Sequence, residues 1–131
     1  MKEFSKPDAT FLLLDSDPLM RSALSDALEN GGYLVITAGD LGAAVDELNE
    51  TQPDLLIVRP YINNMPGQMA ADYLRSRMPG LPVLMVAGFL DDDRINIRNS
   101  VEEFYSFPKP FTSAELLAKI KDVLYTIRSH H

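Results

Sequence analysis

Short unbroken apolar runs alternate along this chain with stretches whose apolar residues recur at helical spacing, and that alternation constrains the fold most. Phe11–Leu14, Leu55–Val58 and Pro82–Val86 are such runs. A strand wetted on one side alternates apolar with polar, so an unbroken run reads as a strand buried on both faces. After the first run, Asp17 is a candidate N-cap and Pro18 sits where a first helical turn begins. Leu19, Met20, Ala23, Leu24, Ala27 and Leu28 continue at helical spacing until Gly31 and Gly32 stop the helix. Tyr33–Thr37 is a short second strand, and Leu41, Ala44, Val45 and Leu48 mark a second helix. Residues 59–66 are rich in Pro and Asn and read as a loop. Met69, Ala70, Tyr73 and Leu74 mark a third helix, broken by Pro79-Gly80. A charged fourth helix is expected over Asp91–Val101 and a fifth strand over Phe104–Phe107. Thr112 or Ser113 then caps a last helix carrying Leu116, Leu117, Ile120, Val123, Leu124 and Ile127.

Five strand–helix units in succession predict an α/β fold. Right-handed crossovers make it a doubly wound five-stranded parallel sheet of flavodoxin-like order 2-1-3-4-5, with five helices on both faces. The 131 residues suit one domain, expected over 11–127. It follows a flexible N-terminus over 1–10 and ends in a tail, 128–131, where His130 and His131 look like a tag remnant. No output domain is visible within the chain.

The chain has no cysteine, which removes disulfides and thiolate metal sites and suits a reducing cytoplasm. A formal charge of −7 argues against binding of nucleic acid or an anionic membrane surface by this domain. No apolar run approaches the roughly 20 residues that span a bilayer, and Met1–Thr10 is too polar for a signal peptide.

Ligands of doubly wound sheets sit at the carboxyl ends of the strands. Here those positions hold Asp15-Ser16-Asp17, Arg59, Ala87-Gly88 and Lys109. This set, with Phe107-Pro108-Lys109-Pro110-Phe111 before a capped helix, Asp54–Val58 followed by Met65-Pro66-Gly67, and a spacing of 22 residues from Ala87 to Lys109, resembles the response-regulator receiver (CheY-like) family from about Phe11 to Ile127. The resemblance implies a receiver domain of two-component phosphorelay signalling. In that family a carboxylate ending the third strand accepts a phosphoryl group, and acids after the first strand help it hold Mg²⁺. The metal and a lysine neutralise the transferring group, while a hydroxyl after the fourth strand reports its arrival.

The same resemblance puts Arg59 at the phosphoacceptor position, where a guanidinium cannot form an acyl phosphate. Ser16 replaces one metal acid while Asp15 keeps the other. Ala87 replaces the switch hydroxyl, Ser106 takes the usual aromatic switch position, and Lys109 is retained. Glu102 and Glu103 stand in place of a usual small pair. The expectation is a degenerate pseudo-receiver, not an enzyme, with Mg²⁺ binding weak or absent and no other cofactor. An ion pair between Arg59 and Asp15, forked across the guanidinium, would replace the metal. The blander readings are that Asp17 only caps a helix, that Lys109 is a solvated loop residue and that Arg59 points to solvent.

The partner is expected to be another signalling protein, a kinase or an output domain. Homodimerisation is expected through the fourth helix, fifth strand and fifth helix, a face carrying Arg94, Arg98, Asn99, Glu103, Tyr105 and Lys119. The alternative is a receiver phosphorylated on an unorthodox acid, Asp15 or Asp17. An enzyme on the same sheet is disfavoured by the lack of a glycine-rich phosphate loop and of any histidine outside the tail.

Overall fold

The computed structural model describes residues 9–86, 104–107 and 113–129, the strand at 104–107 by its backbone alone. In chain order the elements are β1 (Thr10–Leu14), α1 (Pro18–Asn30), β2 (Leu34–Ala38), α2 (Leu41–Thr51), β3 (Leu55–Val58), β4 (Tyr61–Ile62), β5 (Met65–Pro66), α3 (Gly67–Arg77), β6 (Val83–Val86), β7 (Phe104–Phe107) and α4 (Ser113–Ser129). The main sheet runs β2-β1-β3-β6-β7 with every pairing parallel, which is 2-1-3-4-5 when its five strands are counted along the chain.

The central strands are apolar throughout because each face of the sheet meets helices. Phe11, Leu13, Ile57 and Leu84 pack with Leu24 and Leu28 of α1 and Ile120 of α4. Their neighbours Leu12, Leu56 and Met85 point the other way, against Leu48 of α2 and Leu74 of α3. The pleat sends successive side chains to opposite faces, so one four-residue run feeds two cores.

Local signals set the helix ends. Asp17 Oδ1 accepts from Leu19 N at 3.0 Å, with Pro18 in the first turn, and Asp40 Oδ1 accepts from Ala43 N at 2.8 Å to open α2. Gln52 closes α2 in the left-handed region at φ 50°.

Some expectations need correction. Order begins before residue 11: Ala9 is buried, and Thr10 N donates to Asp54 Oδ2 at 2.9 Å. The second strand sits one residue later than Tyr33–Thr37. The 59–66 loop contains an antiparallel ribbon, β4 with β5, turning at Asn63 with φ 56°, a conformation Asn tolerates. Leu19, Met69 and Tyr73, which mark helices by their spacing, are exposed. There are four helices among the described residues, and the helix expected over 91–101 lies outside them. None of the described helices is long and apolar enough to cross a membrane.

Candidate functional site

The carboxyl edge of the sheet gathers Asp15 after β1 and Arg59 after β3, on neighbouring strands that pair Leu14 with Val58. Asp15 is the one buried charged side chain among the described residues, 2% exposed. Its backbone N donates to Ala38 O at 3.0 Å, and its carboxylate Oδ1 accepts from Asp17 N at 2.9 Å. Its backbone carbonyl accepts from Arg21 Nη1 at 2.7 Å.

Arg59 Nε lies 3.7 Å from Asp15 Oδ2. That is within range of charge attraction but too long for a hydrogen bond, and Oδ2 has no hydrogen-bond partner. Arg59 Nη1 donates instead to the Val86 carbonyl at 2.7 Å, across β3 to the end of β6. The ion pair expected from the sequence is present, and its forked geometry is not. The guanidinium is shared between a carboxylate on one flanking strand and a carbonyl on the other.

Burial pushes the Asp15 carboxyl above the usual carboxylate range. The Asp17 N–H, Arg59 and, more weakly, Arg21 pull it down, and Asp17's own charge adds a small upward push. Burial outweighs the cations because neither makes a direct hydrogen bond to the buried oxygen.

The flanking residues are fixed by the fold. Ser16 Oγ accepts from Asn63 N at 3.1 Å, tying the β1 exit to the ribbon. Asp17 is exposed and engaged as the α1 cap. The backbone after Arg59 is closed by Gly67 N donating to Pro60 O at 2.6 Å. A Cβ on Gly67 would collide with the Arg59 carbonyl, so only glycine fits where α3 begins.

The structure thus brings together Asp15, Ser16, Asp17 and Arg59. Tyr105 and Ser106 lie in β7, where Ser106 is in register with Met85, and their side chains lie outside the described residues. Ala87, Arg94, Arg98, Asn99, Glu103 and Lys109 lie outside the described residues too. Lys119 is half-buried on α4. Two participants were missed from sequence: Arg21 and the Val86 carbonyl. Arg21 was findable, since side chains on a helix lean toward its N-terminus and Arg21 stands one turn after Asp17. A backbone acceptor carries no residue-type signal.

Comparison with known proteins agrees with this architecture. The family model described as "Response regulator receiver domain" matches residues 11–121. The chain is 30% identical over 125 residues to the probable transcriptional regulatory protein TcrX of Mycobacterium tuberculosis, covering 95% of this chain and 53% of that protein. It is 28% identical to the phosphate regulon transcriptional regulatory protein PhoB of Escherichia coli, covering 88% of this chain and 52% of that one. Identity to the response regulator MprA of Mycobacterium avium is 31%, over 86% of this chain and 50% of MprA. The chain therefore spans about half the length of these curated relatives. A receiver-domain structure from Clostridium thermocellum superimposes with a TM-score of 0.76 at 19% identity, over 94% of this chain and 99% of that one. NtrX from Brucella abortus superimposes at 0.77 and 23% identity, over 93% and 27%. The family match across most of the chain identifies it as a member of the response regulator receiver family, the receiver domain of a two-component response regulator.

Proposed function

We propose that this receiver signals by binding a protein partner without accepting a phosphoryl group. The observation that carries the reading is the residue leaving β3. Arg59 stands at that strand's carboxyl end, beside Asp15, and offers no oxygen nucleophile. The neighbours, Val58 and Pro60, offer none either, and Asp54 lies at the opposite end of the strand. Asp15 and Asp17 do not take over the role easily. One carboxylate is buried, and the other is engaged as a helix cap.

The residues present do not fit Mg²⁺. The buried carboxylate oxygen without a hydrogen bond, Asp15 Oδ2, faces a guanidinium, and a divalent cation there would meet that positive charge. In its place Arg59 links the exits of β1 and β6. The edge of the sheet is then held in one arrangement by the chain itself. The partner is a kinase, an output domain or a second signalling protein, and the surface of α4 with Lys119, continuing onto β7, is the face proposed for homodimerisation.

Intact-mass spectrometry after incubation with acetyl phosphate and Mg²⁺ tests the reading. The mass is expected to stay unchanged. A stoichiometric gain of one phosphoryl group mapped to Asp15 or Asp17 would overturn it in favour of an unorthodox acceptor.

A further inference from the structure

A second feature lies beside this edge, joined to it through the Asn63–Ser16 hydrogen bond. The start of α2 and the β4–β5 ribbon with the first turn of α3 enclose a cleft of about 560 Å³. Its apolar walls are Leu41, Ile62, Met65, Pro66 and Met69, and the polar Asp40, Asn63 and Asn64 line the rest. Ile62 is buried in the core shared by α2 and α3, and Leu41 and Met65 pack partly on it, so the floor is an outward extension of that core. Met69 is 57% exposed and Tyr73, one turn further along α3, is 46% exposed. Tyr61 on the ribbon is 49% exposed. Tyr73 is covered on one side by the Arg77 guanidinium, 5.9 Å from its ring centroid, whereas Met69 lies outside the face that buries Ala70, Ala71 and Leu74. Clustered apolar exposure of this kind marks interaction sites.

Among the described residues, α2 and the first turns of α3 carry acid and no base, and the nearby guanidinium of Arg21, against Gly39, is engaged by the Asp15 carbonyl. Asp40, Asp46, Glu47 and Glu50 lie at the cap of α2 or along it and Asp72 in the second turn of α3, whose basic residues, Arg75 and Arg77, come only in its last turn. Arg59 is turned inward to Asp15 and Val86, leaving α2 and the first turns of α3 without a positive charge. Two copies joined symmetrically here would set acid against acid. Flexible thioethers at Met65 and Met69 fit an inserted side chain of irregular shape.

We propose that this cleft is a docking groove for a partner protein segment that inserts an apolar anchor between Leu41 and Met69 and flanks it with lysine or arginine. The groove is separate from the α4 face and does not depend on whether the receiver is phosphorylated. The probe is a synthetic amphipathic peptide with leucines on one helical face and lysines on the other, followed by amide chemical shifts in the intact chain. Its control replaces every lysine with glutamate. The lysine peptide is expected to shift Leu41, Asn63, Asn64 and Met69, with an affinity that falls as salt rises. Met69→Gln, an exposed site tolerant of change, should weaken binding about fivefold or more. Asp46→Asn with Asp72→Asn should weaken it and flatten the salt dependence, while Leu34→Gln on a remote exposed strand should leave it unchanged. Equal binding of the glutamate peptide, shifts spread evenly over the surface, no binding, or indifference to Met69→Gln would each overturn the proposal. So would sedimentation showing that the chain pairs with itself through Met69.

Discussion

Arg59 reaches past Asp15 more than it grips it, with Nε 3.7 Å from the carboxylate while Nη1 is spent on the Val86 carbonyl at 2.7 Å. Attraction without a hydrogen bond, partly offset by the cost of burying the carboxylate, leaves a small net term. A double-mutant cycle of Asp15→Asn with Arg59→Met, read by denaturant unfolding, should give a coupling below about 1 kcal/mol. A coupling of about 3 kcal/mol would mean that the pair closes into a tight fork in solution.

The same balance sets a pH dependence. Burial raises the Asp15 carboxyl in the folded state, so the folded chain keeps a proton that the unfolded chain has released. Stability contributed by this group is present below the unfolded value, falls as pH climbs through the raised folded value, and is level above that. Asp15→Asn removes the titration. Its stability relative to the parent chain should be greatest near neutrality and should shrink on acidification through the window just above the ordinary carboxylate range. Thermal unfolding across that window checks it, and a difference that grows on acidification contradicts it.

Replacing Arg59 with Asp sets two carboxylates face to face. Without metal, their repulsion should lower the melting temperature. Millimolar Mg²⁺ should then recover part of the loss, because binding to the folded state alone stabilises it. The parent chain should show no such response. An Mg²⁺-induced rise in the parent would refute the claim that Arg59 excludes the ion.

Gly67→Ala should be costly although the change is one methyl group. The new Cβ would meet the Arg59 carbonyl, backbone that cannot swing aside. A loss of about 1–3 kcal/mol is expected, with the ribbon amides of Tyr61 to Met65 shifting most. A loss under about 0.5 kcal/mol would show that the ribbon yields freely.

The sheet divides the core in two, and its halves should respond independently. Leu28 of α1 and Leu74 of α3 are fully buried in separate clusters on opposite faces. Each substitution to Ala should cost about 2–5 kcal/mol. The double mutant should match their sum within about 0.5 kcal/mol, as distant sites do.

The sheet was legible because its strands have no wet face, so Leu55–Val58 and Phe11–Leu14 could be little else. Asp17 stood at the right offset to act as a cap, and it does, while the equivalent cap at Asp40 went unread. The ribbon within 59–66 was not legible, since two-residue strands carry no periodicity and Pro and Asn announce only a turn. Exposure of Leu19, Met69 and Tyr73 was hidden for a related reason. Spacing finds a helical stripe but not which edge of it meets the core. At the site, proximity of Asp15 and Arg59 followed from strand order. The direction of the guanidinium did not, because the acceptor for its Nη1 is a main-chain carbonyl.

The contact from Arg59 to Val86 has a bearing on time. A covalent mark on a protein is written and erased, and its half-life determines how long a message lasts. A guanidinium encoded in the chain is neither added nor hydrolysed away, so the arrangement it sets at the end of β6 lasts as long as the polypeptide. On the proposed phosphorylation-independent reading, how much of the protein is made, and how fast it is degraded, are the quantities through which that arrangement is raised or lowered.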